Sequence, residues 1–325
     1  MDADDPERVS PAELEAAART AVGQCLGIEE DESVVVITDD ERRSIGEALY
    51  AAAGERTEDV TILRYPPGEQ HGAEPPAPVA AAMGAADAFL APTTKSLSHT
   101  RARGSACEGG ARGATLPGIT ESVFITGLDA DYSAIAEACS DVHDQVVGAE
   151  TIRVTTEAGT DITFEPGDRE WRQDTGLVRD PGAFSNLPAG EVFISPETAT
   201  GTYVVDGTMR PHGLLDPDER LTFEVEDGTV TAISDPAIRK QVETGAESVG
   251  DDAYNLAEFG IGTNVGVSEL VGSVLLDEKA AGTIHIAIGD DASIGGDTDA
   301  PLHLDGIIRD PTVSVDGERI DLPSA

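Results

Sequence analysis

Positive charge is what this chain has least of. Lys+Arg total 21 against 62 Asp+Glu, a formal net charge of -41, and lysine occurs only at positions 95, 240 and 279. Such a surface repels phosphate backbones and anionic headgroups, so nucleic acid and membrane are excluded as partners. Cysteine is scarce too. Cys25, Cys107 and Cys139 form an odd, widely spaced set without a C-x-x-C, which supports neither a disulfide framework nor a thiolate zinc site. No run approaches ~20 apolar residues. The start, MDADDPERVSPAELE, carries no apolar signal region, so the protein is expected to be soluble and cytoplasmic. A single tryptophan, Trp171, and five tyrosines give no aromatic platform. Gly-x-Ser-x-Gly, His-Glu-x-x-His and a Cys/His nucleophile signature are all missing. Gly109-Gly110-Ala111-Arg112-Gly113 is glycine-rich but has neither Gly-x-Gly-x-x-Gly spacing nor a Gly-Lys-Ser/Thr ending, and nucleotide binding is rejected on that ground.

Apolar residues are not lacking. At 39% of the chain they recur in short runs along its whole length. The acidity therefore reads as the solvated surface of a halophilic protein, screened by a high-salt cytoplasm, rather than as disorder. Residues 1–10 read as a loose acidic lead. Ser10-Pro11-Ala12-Glu13 is a helix start, with the helix expected to reach Leu26. Strands are expected at Ser33–Thr38, Val60–Tyr65, Ala88–Ala91 and Val123–Thr126, with helices near Arg42–Ala53 and Tyr132–Val147. Alternating strands and helices predict an α/β domain with a mostly parallel sheet over residues 1–148. From Glu150 the pattern changes to short strands punctuated by Asp-Gly or Pro, with a hairpin signal at Glu157-Ala158-Gly159. Residues 149–325 are expected to form a β-rich (α+β) domain.

Gly282–Asp305 holds two of the six histidines, His285 and His303. His303 and Asp305 are two apart and share one side of an extended strand. His285 lies in an apolar strand-like run, and the turn Gly289–Gly296 can bring the two segments side by side. Two imidazoles and a carboxylate suit a borderline divalent ion. The alternative is a buried histidine satisfied by a backbone carbonyl beside a surface His-x-Asp. Glu191 follows a Pro/Gly turn at the start of an apolar strand, Glu258 sits between apolar residues without a nearby lysine, and taken singly each reads first as a solvent-exposed glutamate. Asp277-Glu278-Lys279 reads as a solvated charge cluster. The segment Thr93–Arg103 gathers Lys95, His99, Arg101 and Arg103 after a parallel strand, where open α/β sheets place ligands. It reads either as a substrate-carboxylate contact or as a polar loop paired to local acids.

The blocks SLSHTRAR, GARGATLPGITE, NLPAGEVFISP, NLAEFGIGTNVGV, LLDEKAAGTIHIAIG and PLHLD, in this order between Ala88 and Ile308, resemble the metallo-aminopeptidases typified by aminopeptidase T. The resemblance implies Glu191, Glu258, His285, His303 and Asp305 as ligands of two divalent ions (Zn, Co or Mn). It also implies a metalloprotease chemistry, with Glu191 and Glu258 catalytic in the hydrolysis of N-terminal residues of small peptides. The family's tyrosine seven residues past the first histidine is here Ala292. A shorter relative, 2,5-dihydroxypyridine 5,6-dioxygenase, implies instead one Fe(II) on His285, His303 and Asp305 and a small aromatic substrate. A catalytically silent metal-binding homologue is the third reading, and a homodimer is compatible with all three.

Overall fold

Ser10 caps the first helix as its sequence predicts. In the computed structural model, which describes residues 9–325, Ser10 Oγ accepts from the Ala12 N–H and Glu13 reaches back to the Ser10 N–H at 3.2 Å. The acidic lead lies, over residues 1–8, outside the described residues. The helix Pro11–Arg19 continues as a π-helical turn, Thr20–Cys25, and ends before Gly27, whose φ of 60° favours glycine.

Contacts group the described residues up to Ser133 with Gly176–Ala189 as one unit. Its sheet runs Val60–Tyr65, Val34–Asp39, Ala88–Thr93, Arg112–Pro117, Phe184–Asn186, every pairing parallel. Val34–Asp39 and Ala88–Thr93 are buried at every position, as a sheet covered on both faces requires. Two expectations are corrected here. Val123–Thr126 lies in the helix Glu121–Leu128, because Thr120 Oγ1 accepts from the Val123 N–H at 3.3 Å and this cap outweighs a β-branched run. The fourth strand is Arg112–Pro117, which begins within the glycine-rich stretch Gly109–Gly113. Gly113 is there because any Cβ would overlap the Phe89 ring on the neighbouring strand.

Ala134–Thr175 and Gly190–Ala325 form the second unit. The chain thus crosses between units at 133/134, 175/176 and 189/190, where the change of pattern near residue 149 suggested a single crossing. This unit holds two seven-stranded sheets, antiparallel throughout. The expected hairpin is present as Ile152–Thr155 against Asp161–Glu165. Phe164 of one sheet stacks on Phe259 of the other, ring centroids 4.5 Å apart, so the sheets pack face to face through these side chains. The architecture is an α/β unit with a parallel sheet and an antiparallel, β-rich unit. Among the described residues no helix is long and apolar enough to cross a membrane.

Candidate metal centre

Strand register decides which side chains meet. In the second unit the strands Glu191–Ile194, Leu256–Gly262, Ile284–Gly289 and His303–Ile308 are neighbours in this order. Directly opposed residues of antiparallel strands point to the same face. Glu191 opposes Gly262, His285 opposes Gly260, and Glu258 opposes Ala287. Asp305 also opposes Ala287, and His303 opposes Gly289. All five residues therefore share one face, and each has glycine or alanine across from it. The small partners make the room: a Cβ on Gly260 would interpenetrate the His285 imidazole. The alternate positions, Phe259, Ile261, Ile284, Ile286 and Ile288, are buried on the opposite, apolar face.

Glu258 sits at the centre. Its Oε1 lies 3.2 Å from His285 Nε2 and its Oε2 3.3 Å from His303 Nε2. His303 Nε2 is also 3.2 Å from Asp305 Oδ1, and His285 Nε2 is 3.5 Å from Glu191 Oε2. Two overlapping groups result, Glu191–Glu258–His285 and Glu258–His303–Asp305, each with one ligand atom per residue within 4.8 Å of the others. His303 Nδ1 donates to the Asp290 carbonyl at 2.7 Å, which assigns Nε2 to the cluster. Glu191, Glu258 and His285 are buried, whereas 31% of the His303 side chain is exposed, so the cluster opens at His303.

The electrostatics are those of a site built around a cation. Burial pushes the Glu191 carboxyl up to about 8 against the pull of Lys279 and His285. Burial would raise Glu258 as well, but hydrogen bonds from His285 and His303 outweigh it and hold that carboxyl well below the ordinary range. Burial disfavours the His285 imidazolium, yet the Glu258 hydrogen bond and the charges of Glu191, Glu258 and Glu278 raise it to about 9. His303 is raised in the same way by Asp305 and Glu258. Protons on the two imidazoles thus balance the carboxylates, and a divalent ion would replace them. Glu191 Oε2 is buried without a hydrogen-bond partner. A buried orphan acceptor is rare inside proteins, and here it fits a site that takes a cation.

Glu278 and Lys279 were read as solvated, and the structure corrects this. Lys279 is 4% exposed, contacts Glu191 Oε1 and lies 2.8 Å from Glu278 Oε1. Asp277 is fully buried and accepts from Thr208 Oγ1 at 2.6 Å and from the Val271 and Gly272 N–H groups. The available signal was a lysine, one of three, set five residues before a buried strand. Ala292 lies exposed in the turn Ala292–Ile294. The basic segment belongs to the first unit. Arg101 pairs with Glu74 at 3.3 Å, and Thr100 caps the helix Arg101–Glu108 where a loop was expected. Arg103 donates to the Ser98 carbonyl at 2.7 Å and lies over the Phe184 ring. Lys95 is half-buried and His99 exposed.

The fold matches two solved structures. One is 2,5-dihydroxypyridine dioxygenase from Pseudomonas putida KT2440, with TM-score 0.79 and 20% identity over 97% of each chain. The other is AmpT from Thermus thermophilus, with TM-score 0.68 and 18% identity over 95% of this chain and 97% of that one. In sequence, the 2,5-dihydroxypyridine 5,6-dioxygenase of Pseudomonas putida KT2440 is 25% identical over 186 residues. That match covers 54% of this chain and 53% of the relative, so it spans about half of the curated protein's length. The family model for 2,5-dihydroxypyridine 5,6-dioxygenase matches residues 13–321. These matches overturn the expectation of a hydrolytic metallo-aminopeptidase engaged in proteolysis, and the kinship with aminopeptidase T stands as a likeness of fold. With nearly the whole chain matched, it belongs to the 2,5-dihydroxypyridine 5,6-dioxygenase (NicX) family.

Proposed function

We propose that this chain is a ring-cleaving dioxygenase that holds one ferrous ion on His285, His303 and Asp305 and opens a dihydroxylated nitrogen heteroaromatic of the 2,5-dihydroxypyridine type. Family membership over residues 13–321, in a chain whose sheet face gathers two imidazoles and carboxylates, is the observation that carries this reading. Two histidines and one carboxylate are the donor set suited to non-haem Fe(II). Bound there, the ion supplies the one-electron chemistry that lets dioxygen react with a closed-shell ring. The chain's own residues do the rest. Glu258 bridges both imidazoles and fixes their separation. Lys279 pairs with Glu191 and with Glu278, which lowers the demand for added cations in favour of one ion. Glu191 Oε2, buried without a hydrogen-bond partner, would take a proton from a substrate hydroxyl. Substrate enters at His303, where the cluster is open.

The test is oxygen uptake by protein loaded anaerobically with Fe(II) in molar salt and then given 2,5-dihydroxypyridine. One O2 consumed per ring opened is expected, with loss of the aromatic absorbance. Iron-loaded protein that leaves both oxygen and substrate untouched would remove the assignment.

A further inference from the structure

Two residues past the end of the Ile284–Gly289 strand the chain buries another carboxylate, that of Asp291, which is 4% exposed. Its Oδ2 accepts from Ser195 Oγ and from Asn255 Nδ2, both at 2.9 Å, and its Oδ1 accepts from the Thr298 N–H at 2.7 Å. The positions of these donors matter. Ser195 directly follows the strand carrying Glu191, and Asn255 directly precedes the strand carrying Glu258. Asp291 itself follows the strand carrying His285. One carboxylate therefore ties the ends of three ligand-bearing strands. Asn255 strengthens the tie by donating to the Gly289 carbonyl at 3.1 Å while its own carbonyl accepts from the Gly289 N–H at 2.8 Å.

The fourth ligand strand is reached through the loop that Asp291 anchors. The Gly296 backbone packs so closely on this carboxylate that a Cβ would overlap it. The Asp291 N–H donates to the Thr298 carbonyl at 3.0 Å, and the Asp290 N–H donates to the Leu302 carbonyl at 2.8 Å. The loop so held presents the Asp290 carbonyl to His303 Nδ1. The partner of a ligand imidazole's second nitrogen sets its tautomer and ring orientation.

We infer that Asp291 is a positioning residue of the metal centre. Through Ser195 and Asn255 it sets the spacing of the ligand strands, and through the Asp290 carbonyl it aims His303 Nε2 at Glu258 and Asp305. The inference rests on the metal reading above, and Co(II) serves as a probe that reads the centre without turnover. Asp291→Ala is expected to weaken Co(II) binding about 10–100-fold, the usual effect of removing such an outer partner, and to change the ligand-field spectrum. Ser195→Ala moves both readouts the same way by less, and Asp291→Asn, which keeps an acceptor for the Thr298 N–H, recovers part of the loss. Val313→Ala, in the buried core of the other sheet, matches the loss of Tm and keeps wild-type affinity. Wild-type affinity and spectrum in Asp291→Ala would overturn the inference, as would an equal loss of affinity in Val313→Ala. Should Asp291→Ala fail to fold, Ser195→Ala and Asp291→Asn decide on the same criteria. Wild-type protein that binds no Co(II) would bring down the metal reading, and this inference with it.

Discussion

Gly260→Ala is the smallest change that reaches the centre, and its consequences can be worked from the register. Gly260 faces His285 across the strand pair, and an added Cβ would overlap the ring at Cε1 and Nε2. Nε2 is the atom that lies 3.2 Å from Glu258 and 3.5 Å from Glu191. His285 is 1% exposed, so the ring has no slack and must leave its position or force the strands apart. Overpacking of this kind costs about 1–3 kcal/mol, offset by about 0.5–1 kcal/mol from replacing glycine within a strand. The net loss of stability is then at most about 2.5 kcal/mol, and the variant folds. Metal binding suffers more, because an imidazole donor is withdrawn. Affinity should fall at least about 100-fold, equivalent to about 2.7 kcal/mol. Calorimetric titration with Co(II), beside a thermal melt of the metal-free protein, separates the two effects. Gly104→Ala makes the same chemical change in the helix Arg101–Glu108, where a Cβ meets nothing within 4 Å. It should raise stability by about 1 kcal/mol and leave Co(II) affinity alone. Unchanged Co(II) affinity in Gly260→Ala would refute His285 as a ligand.

Lys279→Met removes the ammonium from a buried pair and leaves Glu191 without its cation, a loss of about 3–5 kcal/mol in urea unfolding; a loss below about 1 kcal/mol would show that the pair is solvated. Metal-free stability should fall as pH rises from 6.5 to about 9, because His285 and His303 hold protons in the fold above the ordinary imidazole value. The His285 contribution, full below 6.5, is worth roughly 3 kcal/mol by linkage, and Glu191, raised to about 8, acts in the same direction. Saturating Co(II) should flatten this profile, and a metal-free Tm that climbs over the same range would contradict the charge assignment. With a net charge of -41, Tm should rise steeply with KCl as screening removes self-repulsion, and a salt-independent Tm would count against the halophilic reading.

Elements that rest on local chemistry were legible in the sequence. The Ser10 cap, the β-branched run at Val34–Ile37 and the hairpin around Gly159 are each specified by a few adjacent residues. His303 and Asp305 were paired by strand period alone, and the structure brings Glu191, Glu258 and His285 onto the same face. Elements that depend on a distant partner were not legible. The strand Arg112–Pro117 starts in a glycine-rich stretch and carries no strand signal until Phe89 is seen to need the space that Gly113 leaves. Val123–Thr126 has strand composition, and the Thr120 cap made it helix.

The expected chemistry failed for a related reason, which lies in charge balance. Counting carboxylates along the chain gives Glu191, Glu258 and Asp305, and three anions with two imidazoles call for two divalent ions. The count omits the cation already built into the protein. Lys279 lies 88 positions from Glu191 in the chain, and only the fold sets its ammonium against that carboxylate. Lys279 is shared with Glu278, so it offsets part of the Glu191 charge and lowers the number of divalent ions the proposed site demands. Ligand identity is written residue by residue, but metal number follows from the sum of charges enclosed, and that sum is a property of the register. Glu191→Gln makes the argument testable. If Lys279 is the counter-ion, the variant should keep one Co(II) per chain and lose stability through an unpaired ammonium. If Glu191 is a metal ligand in its own right, Co(II) content should fall.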